Sequence, residues 1–166
     1  MRTGKLLSAQ MAATYREKNW FVPLRMALKG LSAEEAKWKP SKRSNSIYEI
    51  LFHLNFWNER YLQRFKGLPT GPSISTNEES FGGRNKGLTA ALLKKEIKRA
   101  ESILKEFERA VSKSSDVKLK SIKPKEIRHP WDSVIMNINL HNAYHAGQIL
   151  MLRKLKGNWD SKKHWQ

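Results

Sequence analysis

Asn139-Leu140-His141-Asn142-Ala143-Tyr144-His145-Ala146-Gly147-Gln148, near the C-terminal end of the chain, is the stretch on which the reading of the fold turns. His141 and His145 are four residues apart, so on a helix their imidazoles leave one face a single turn apart. A pair at that spacing is a two-point clamp for a metal ion. Val134, Ile138 and Leu152 fall on the same face, so the pair is expected to point into an apolar interior. A third ligand must then come from elsewhere, and the candidate is His53, in the apolar helical run Ile50-Leu51-Phe52-His53-Leu54-Asn55-Phe56-Trp57. The alternative stays open at this point: two histidines at i,i+4 are a weak signal alone, and each could be a core residue satisfied by its own hydrogen bond.

Composition bounds the rest. A chain of 166 residues fits one domain, residues 1–166, and can bury a sizeable core. With 39% hydrophobic residues the composition is globular rather than disordered. Cysteine is absent, which excludes disulfides, thiolate catalysis and cysteine-ligated zinc, so a metal would need nitrogen or oxygen ligands. No apolar run approaches the roughly 20 residues of a membrane span, and Met1-Arg2-Thr3-Gly4-Lys5 leads into no signal-peptide core. A cytoplasmic protein without membrane contact is expected. Lys and Arg number 32 against 15 Asp and Glu, a net charge of +17 that can attract polyanions. The basic residues are scattered over every expected helix with no recognition-helix pattern, so nucleic acid is not the expected partner.

Four helices follow from the apolar period. A first helix in two pieces is expected from about Leu6 to Lys29, restarting at Pro23. Ser32-Ala33-Glu34-Glu35 reads as a short capped turn. Ser46 with Glu49 three residues later has the capping-box spacing, so a second helix starts there and runs to Lys66-Gly67. Residues 68–87 are rich in Pro, Gly, Ser and Thr and form a long surface connection, the candidate rim or lid of a site. A third helix is expected from Thr89 to Val111 and a fourth from Trp131 to Lys156. Val117 to Ile122 alternates but has no partner strand and reads as extended loop. Four helices without a credible sheet make an all-α four-helix bundle.

Bundles build metal sites from facing helices, and three neutral imidazoles leave a coordination position open. Gln148, Asn137 and Glu49 each share a helix face with one of the histidines and are candidates to orient an imidazole. Glu49 has the competing capping role. Tyr144 is a candidate proton donor at a rim or an interhelical packing residue, Trp57 a core or wall residue, and His129 and His164 surface residues. No Ser/His/Asp set, phosphate loop or zinc-protease helix motif is present, and no dedicated general base stands out.

Three blocks, Gly30-Leu31-Ser32-Ala33-Glu34-Glu35-Ala36, Ser46 to Leu54, and His141 to Ile149 followed by Leu152-Arg153, together resemble the DinB family in order and spacing over nearly the whole chain. The resemblance implies an up-up-down-down bundle with a long crossover, a homodimer, and a divalent metal held by His53, His141 and His145. Zinc or nickel would be the first choice of metal and iron or manganese the next. It further implies a metal-dependent enzyme, a hydrolase or a transferase using a low-molecular-weight thiol, that acts on a small-molecule substrate. The alternative is a non-catalytic bundle, stress-related and metal-binding or associated with nucleic acid.

Overall fold

The computed structural model describes residues 2–82, 85, 87–122 and 127–164, the last two of these by backbone alone. It is all-helical among those residues. The elements are α1 (Thr3–Tyr15), α2 (Leu24–Ala27), α3 (Ala33–Lys37), α4 (Ile47–Lys66), a 3-10 turn at Asn77–Ser80, α5 (Ala90–Ser112), α6 (Asp116–Lys120), α7 (Trp131–Lys156) and α8 (Ser161–His164).

Their boundaries follow from local chemistry. At Ser46 the hydroxyl accepts from the Glu49 amide at 3.1 Å while the Glu49 carboxylate accepts from the Ser46 amide at 2.8 Å, so both ends of the capping box are closed. Thr89 caps α5 by accepting from Leu92 N–H. Gly67 and Gly157 end α4 and α7 in the left-handed region at φ 72° and 77°, where a side chain would clash with its own backbone. The first helix is indeed interrupted, and Pro23 stands as N-cap of the short α2. Residues 116–120 are a helical turn rather than extended loop. Ser115 caps it and Leu119 is fully buried, while Val117 is 82% exposed. Residues two apart on a helix lie about 200° apart, so the two apolar residues of the alternation fall on opposite faces and only Leu119 is buried.

The long helices α1, α4, α5 and α7 pack as a bundle in which α4 touches α5 and α7, and α1 touches the same two. Cross-helix pairs give the directions. Asn55 meets Glu96, Glu59 meets Arg99 and Lys66 meets Glu106, advancing together, so α4 and α5 run parallel. Phe65 packs on Trp131 while His53 reaches His141, so α7 runs antiparallel to α4. Gly4 lies against Val111 and Tyr15 shares a cluster with Ala100 and Leu104, so α1 opposes α5. The order of directions is therefore up, down, down, up, in place of the expected up-up-down-down. The reason lies in the connection after Lys66, which travels the length of the bundle and is the long crossover itself.

Two apolar clusters fill the interior. One gathers Leu51, Leu54, Leu93, Ala146 and Ile149, the other Leu62, Phe65, Phe107, Trp131 and Ile135. On α4 and α7 the residues between them are buried and polar. Asn58 and Asn142 exchange two amide hydrogen bonds, Nδ2 to Oδ1, at 2.8 and 3.0 Å. Asn55 donates to the Glu96 carbonyl, and Asn139 donates to Gln10. The Asn58–Asn142 pair is satisfied on both sides, which is what lets a polar layer survive inside an apolar bundle, while the buried Asn139 Oδ1 accepts no hydrogen bond from a described residue. At the far end the buried Arg153 donates to the carbonyls of Ala27 and Lys29, both at 2.9 Å, and so straps α7 to the α2 turn.

Gly4 makes the tightest approach in the bundle, since a Cβ there would lie 2.6 Å from the Val111 carbonyl oxygen, a backbone atom. Ordinarily Gly to Ala within a helix stabilises by up to ~1 kcal/mol. Here Gly4→Ala is expected to cost about 1–3 kcal/mol, because α1 must move off the end of α5. Chemical denaturation of the two proteins measures the difference.

Candidate metal centre

The site sits in the polar layer. His53 projects from the middle of α4, and His141 and His145 from one face of α7. His53 and His145 are buried and His141 is half-buried. The Nε2 atoms of His53 and His141 are 2.9 Å apart, those of His145 and His141 are 3.1 Å apart, and the three possible ligand atoms lie within 4.8 Å of one another. The structure brings His53, the expected third imidazole, to the pair on α7.

The partners of the outer nitrogens fix the tautomers. His145 Nδ1 lies 2.7 Å from Gln148 Oε1, an acceptor, so it carries the proton. His53 Nδ1 lies 2.6 Å from Ser80 Oγ, and the Ser80 hydroxyl donates to the Asn77 carbonyl. With its proton spent there, Ser80 can only accept, so His53 is also protonated on Nδ1. Both Nε2 atoms then turn lone pairs toward His141 Nε2. Such an arrangement calls for a positive centre between them, a shared N–H or a metal ion. Imidazoles around a tetrahedral zinc at ~2.0–2.1 Å have nitrogens about 3.3 Å apart, a few tenths more than the spacing here. The donor set therefore fits a divalent ion.

Burial and crowding keep these rings neutral. The His53 imidazolium is disfavoured first by burial and then by its two neighbours, which pushes its pKa down to about 3. His141 is pushed to about 4 by burial and then by His145. His145 is lowered by burial, against the Gln148 hydrogen bond, which favours the charged form.

Above the histidines opens a pocket of about 720 Å³, within the range of small-molecule sites. Phe81 stacks on the His53 ring with centroids 4.0 Å apart and planes 10° from parallel. Trp57 meets the same ring edge-on at 6.5 Å and forms a wall. Tyr144 is 63% exposed, so it stands at the rim beside His145 and is not an interhelical packing residue. His129 is exposed and lines the mouth.

Of the three residues expected to orient an imidazole, only Gln148 does so. Glu49 stays in its capping box and pairs with Lys39 at 2.7 Å, and Asn137 is an exposed pocket-lining residue. The side chain of His164 lies outside the described residues. Sequence reasoning missed Ser80 and Phe81, which the crossover carries onto His53. A signal was there. Thr76 and Glu79 have the same capping-box spacing as Ser46 and Glu49, and they start the 3-10 turn that presents Ser80.

A pH dependence follows from the buried imidazoles. Unfolded histidines protonate near pH 6.5 while His53 and His141 resist to about 3 and 4, so below pH 6.5 the unfolded chain binds more protons. Stability is then lost as pH falls toward 4. With a chelator present, His53 alone is expected to account for a loss on the order of 2 kcal/mol between pH 7.5 and 5. Urea unfolding at the two pH values measures this, and His53→Leu should flatten the difference.

Comparisons with curated proteins and with solved structures return no match. The family model of the DinB superfamily matches residues 23–149, a span that contains α4, α5, most of α7 and all three histidines. The chain belongs to the DinB superfamily.

Proposed function

We propose that the chain is a metal-dependent enzyme that holds a divalent ion through Nε2 of His53, His141 and His145 and acts on a small molecule in the pocket above them. The observation that carries this reading is the pair of inward lone pairs on His53 and His145, set by Ser80 and Gln148 and meeting His141 within 3.1 Å. Zinc or nickel suits three imidazoles best, with iron or manganese next. An ion held there would supply Lewis acidity and so lower the pKa of a water or thiol bound to it.

The protein's own residues do the rest. Ser80 and Gln148 hold two rings at the tautomer that exposes Nε2. Phe81 and Trp57 shield the face and edge of His53 from solvent. Tyr144, at the rim, can hand a proton to a leaving group. The described residues of the lining contain no carboxylate, so proton removal from the nucleophile depends on its own lowered pKa. Hydrolysis and transfer to a low-molecular-weight thiol both fit this arrangement. A homodimer fits the exposed Met136, Leu140, Met151 and Leu155 along α7, an apolar strip that a second copy would cover. No helix among the described residues is long and apolar enough to cross a membrane.

Elemental analysis tests the site. His141→Ala should lose stoichiometric metal while its circular dichroism stays helical, and equal metal in that variant would overturn the assignment. Ser80→Ala leaves all three ligands in place but removes the acceptor that sets the His53 tautomer, and should weaken metal affinity by about 10- to 100-fold. Competition with a chromogenic chelator gives that ratio.

A further inference from the structure

The chain carries 32 basic and 15 acidic residues, yet none of the described residues that line the pocket is Asp, Glu, Lys or Arg. The charged side chains nearest in sequence to the α4 wall are engaged elsewhere. Arg60 donates to the carbonyls of Thr70 and Pro72, and Glu59 pairs with Arg99 on α5. What faces the pocket instead is mostly aromatic and amide: Trp57, Phe81 and Tyr144 as flat surfaces, Tyr61 with the Arg64 guanidinium 5.4 Å from its ring centroid, Asn45 and Asn137 as neutral donors and acceptors, and His129 at the mouth.

We infer that the molecule bound here has a flat, apolar and uncharged body, and that its one ionisable atom is the one that meets the metal. This rests on the pocket being the substrate site of the proposed enzyme. A charged group on the body would leave water for a cleft whose described lining holds no Asp, Glu, Lys or Arg, a cost that amides repay only in part. An uncharged aromatic body meets edge-to-face and stacked partners already in place, each such contact contributing about 0.5–1.5 kcal/mol beyond burial. At the floor the balance is reversed. A divalent ion held by three neutral imidazoles would keep its full charge and favour a single anionic donor at the floor, whereas no described Asp, Glu, Lys or Arg lines the rest of the cleft.

Three ligands sharing one ring system separate these effects: 2-naphthamide, 2-naphthoate and 2-naphthylmethylammonium. They are titrated by calorimetry into the full chain stripped with a chelator, so that the carboxylate gains nothing from the metal. The neutral amide should bind at least tenfold more tightly than either ion. Its affinity should fall at least fivefold in Trp57→Ala and, independently, in the surface variant Tyr144→Ala. An ion that binds as tightly as the amide overturns the inference, as does an amide that fails to bind or ignores both substitutions. Metal content measured on the same preparation is a separate readout. Protein that takes up no metal yet keeps the selectivity defeats the metal centre and leaves the inference about the pocket standing.

Discussion

Three imidazoles in the middle of a helical bundle, with His53 and His145 each within hydrogen-bonding distance of His141, are what the rest of the molecule has to accommodate. Apolar packing alone would not assemble them, because each ring brings polar atoms that must be satisfied out of water. The chain meets that cost locally. Ser80 and Gln148 take the outer nitrogens, Asn58 and Asn142 satisfy one another beside the rings, and the apolar clusters close the bundle above and below. The polar layer also sets register. Sliding α7 by one turn against α4 would separate the two asparagines and leave three buried amide groups unpaired, since Asn58 Nδ2 keeps the Leu54 carbonyl, at about 1–3 kcal/mol each. The same interlock that holds the helices therefore holds the histidines opposite each other.

Much of this was legible in the sequence for physical reasons that can be named. The bounds of α4, α5 and α7 follow from Ser46, Thr89, Pro130, Gly67 and Gly157, residues whose side chains or backbone freedom act within a few positions of themselves. The histidine site was readable because i,i+4 spacing fixes a shared face before any tertiary contact exists. Directions of the helices were not readable in that way, since they depend on where a long connection goes, and Pro- and Gly-rich composition shows only that it is not a helix. Ser80 and Phe81 were lost for the same reason. They act across the fold on a residue 27 and 28 positions away, and nothing in their neighbours points toward His53. Glu49 was a case of two local roles competing, and the capping role won because its partner amide is three residues off and fixed by the helix itself.

The net charge of +17 belongs to the exterior. Basic side chains on α4 and α5 pair with Glu59, Glu96, Glu101 and Glu106 or extend into solvent, while the interior polarity is carried almost wholly by neutral amides, hydroxyls and imidazoles. Three described residues are exceptions: Glu49 and Asp132 pair with Lys39 and Lys120, and Arg153 donates to backbone carbonyls, where its charge meets the partial negative charge at the end of a helical turn. Surface field and cleft chemistry are thus separately encoded.

The crossover has a consequence of its own. The three imidazoles come from two long helices, but the ring that covers His53 and the hydroxyl that sets its tautomer both come from a single stretch outside them. Changing that stretch in length or sequence would redraw the walls of the cleft while leaving the coordinating geometry where it is. A scaffold divided in this way can acquire new selectivity by altering one connection, with the histidine floor inherited intact.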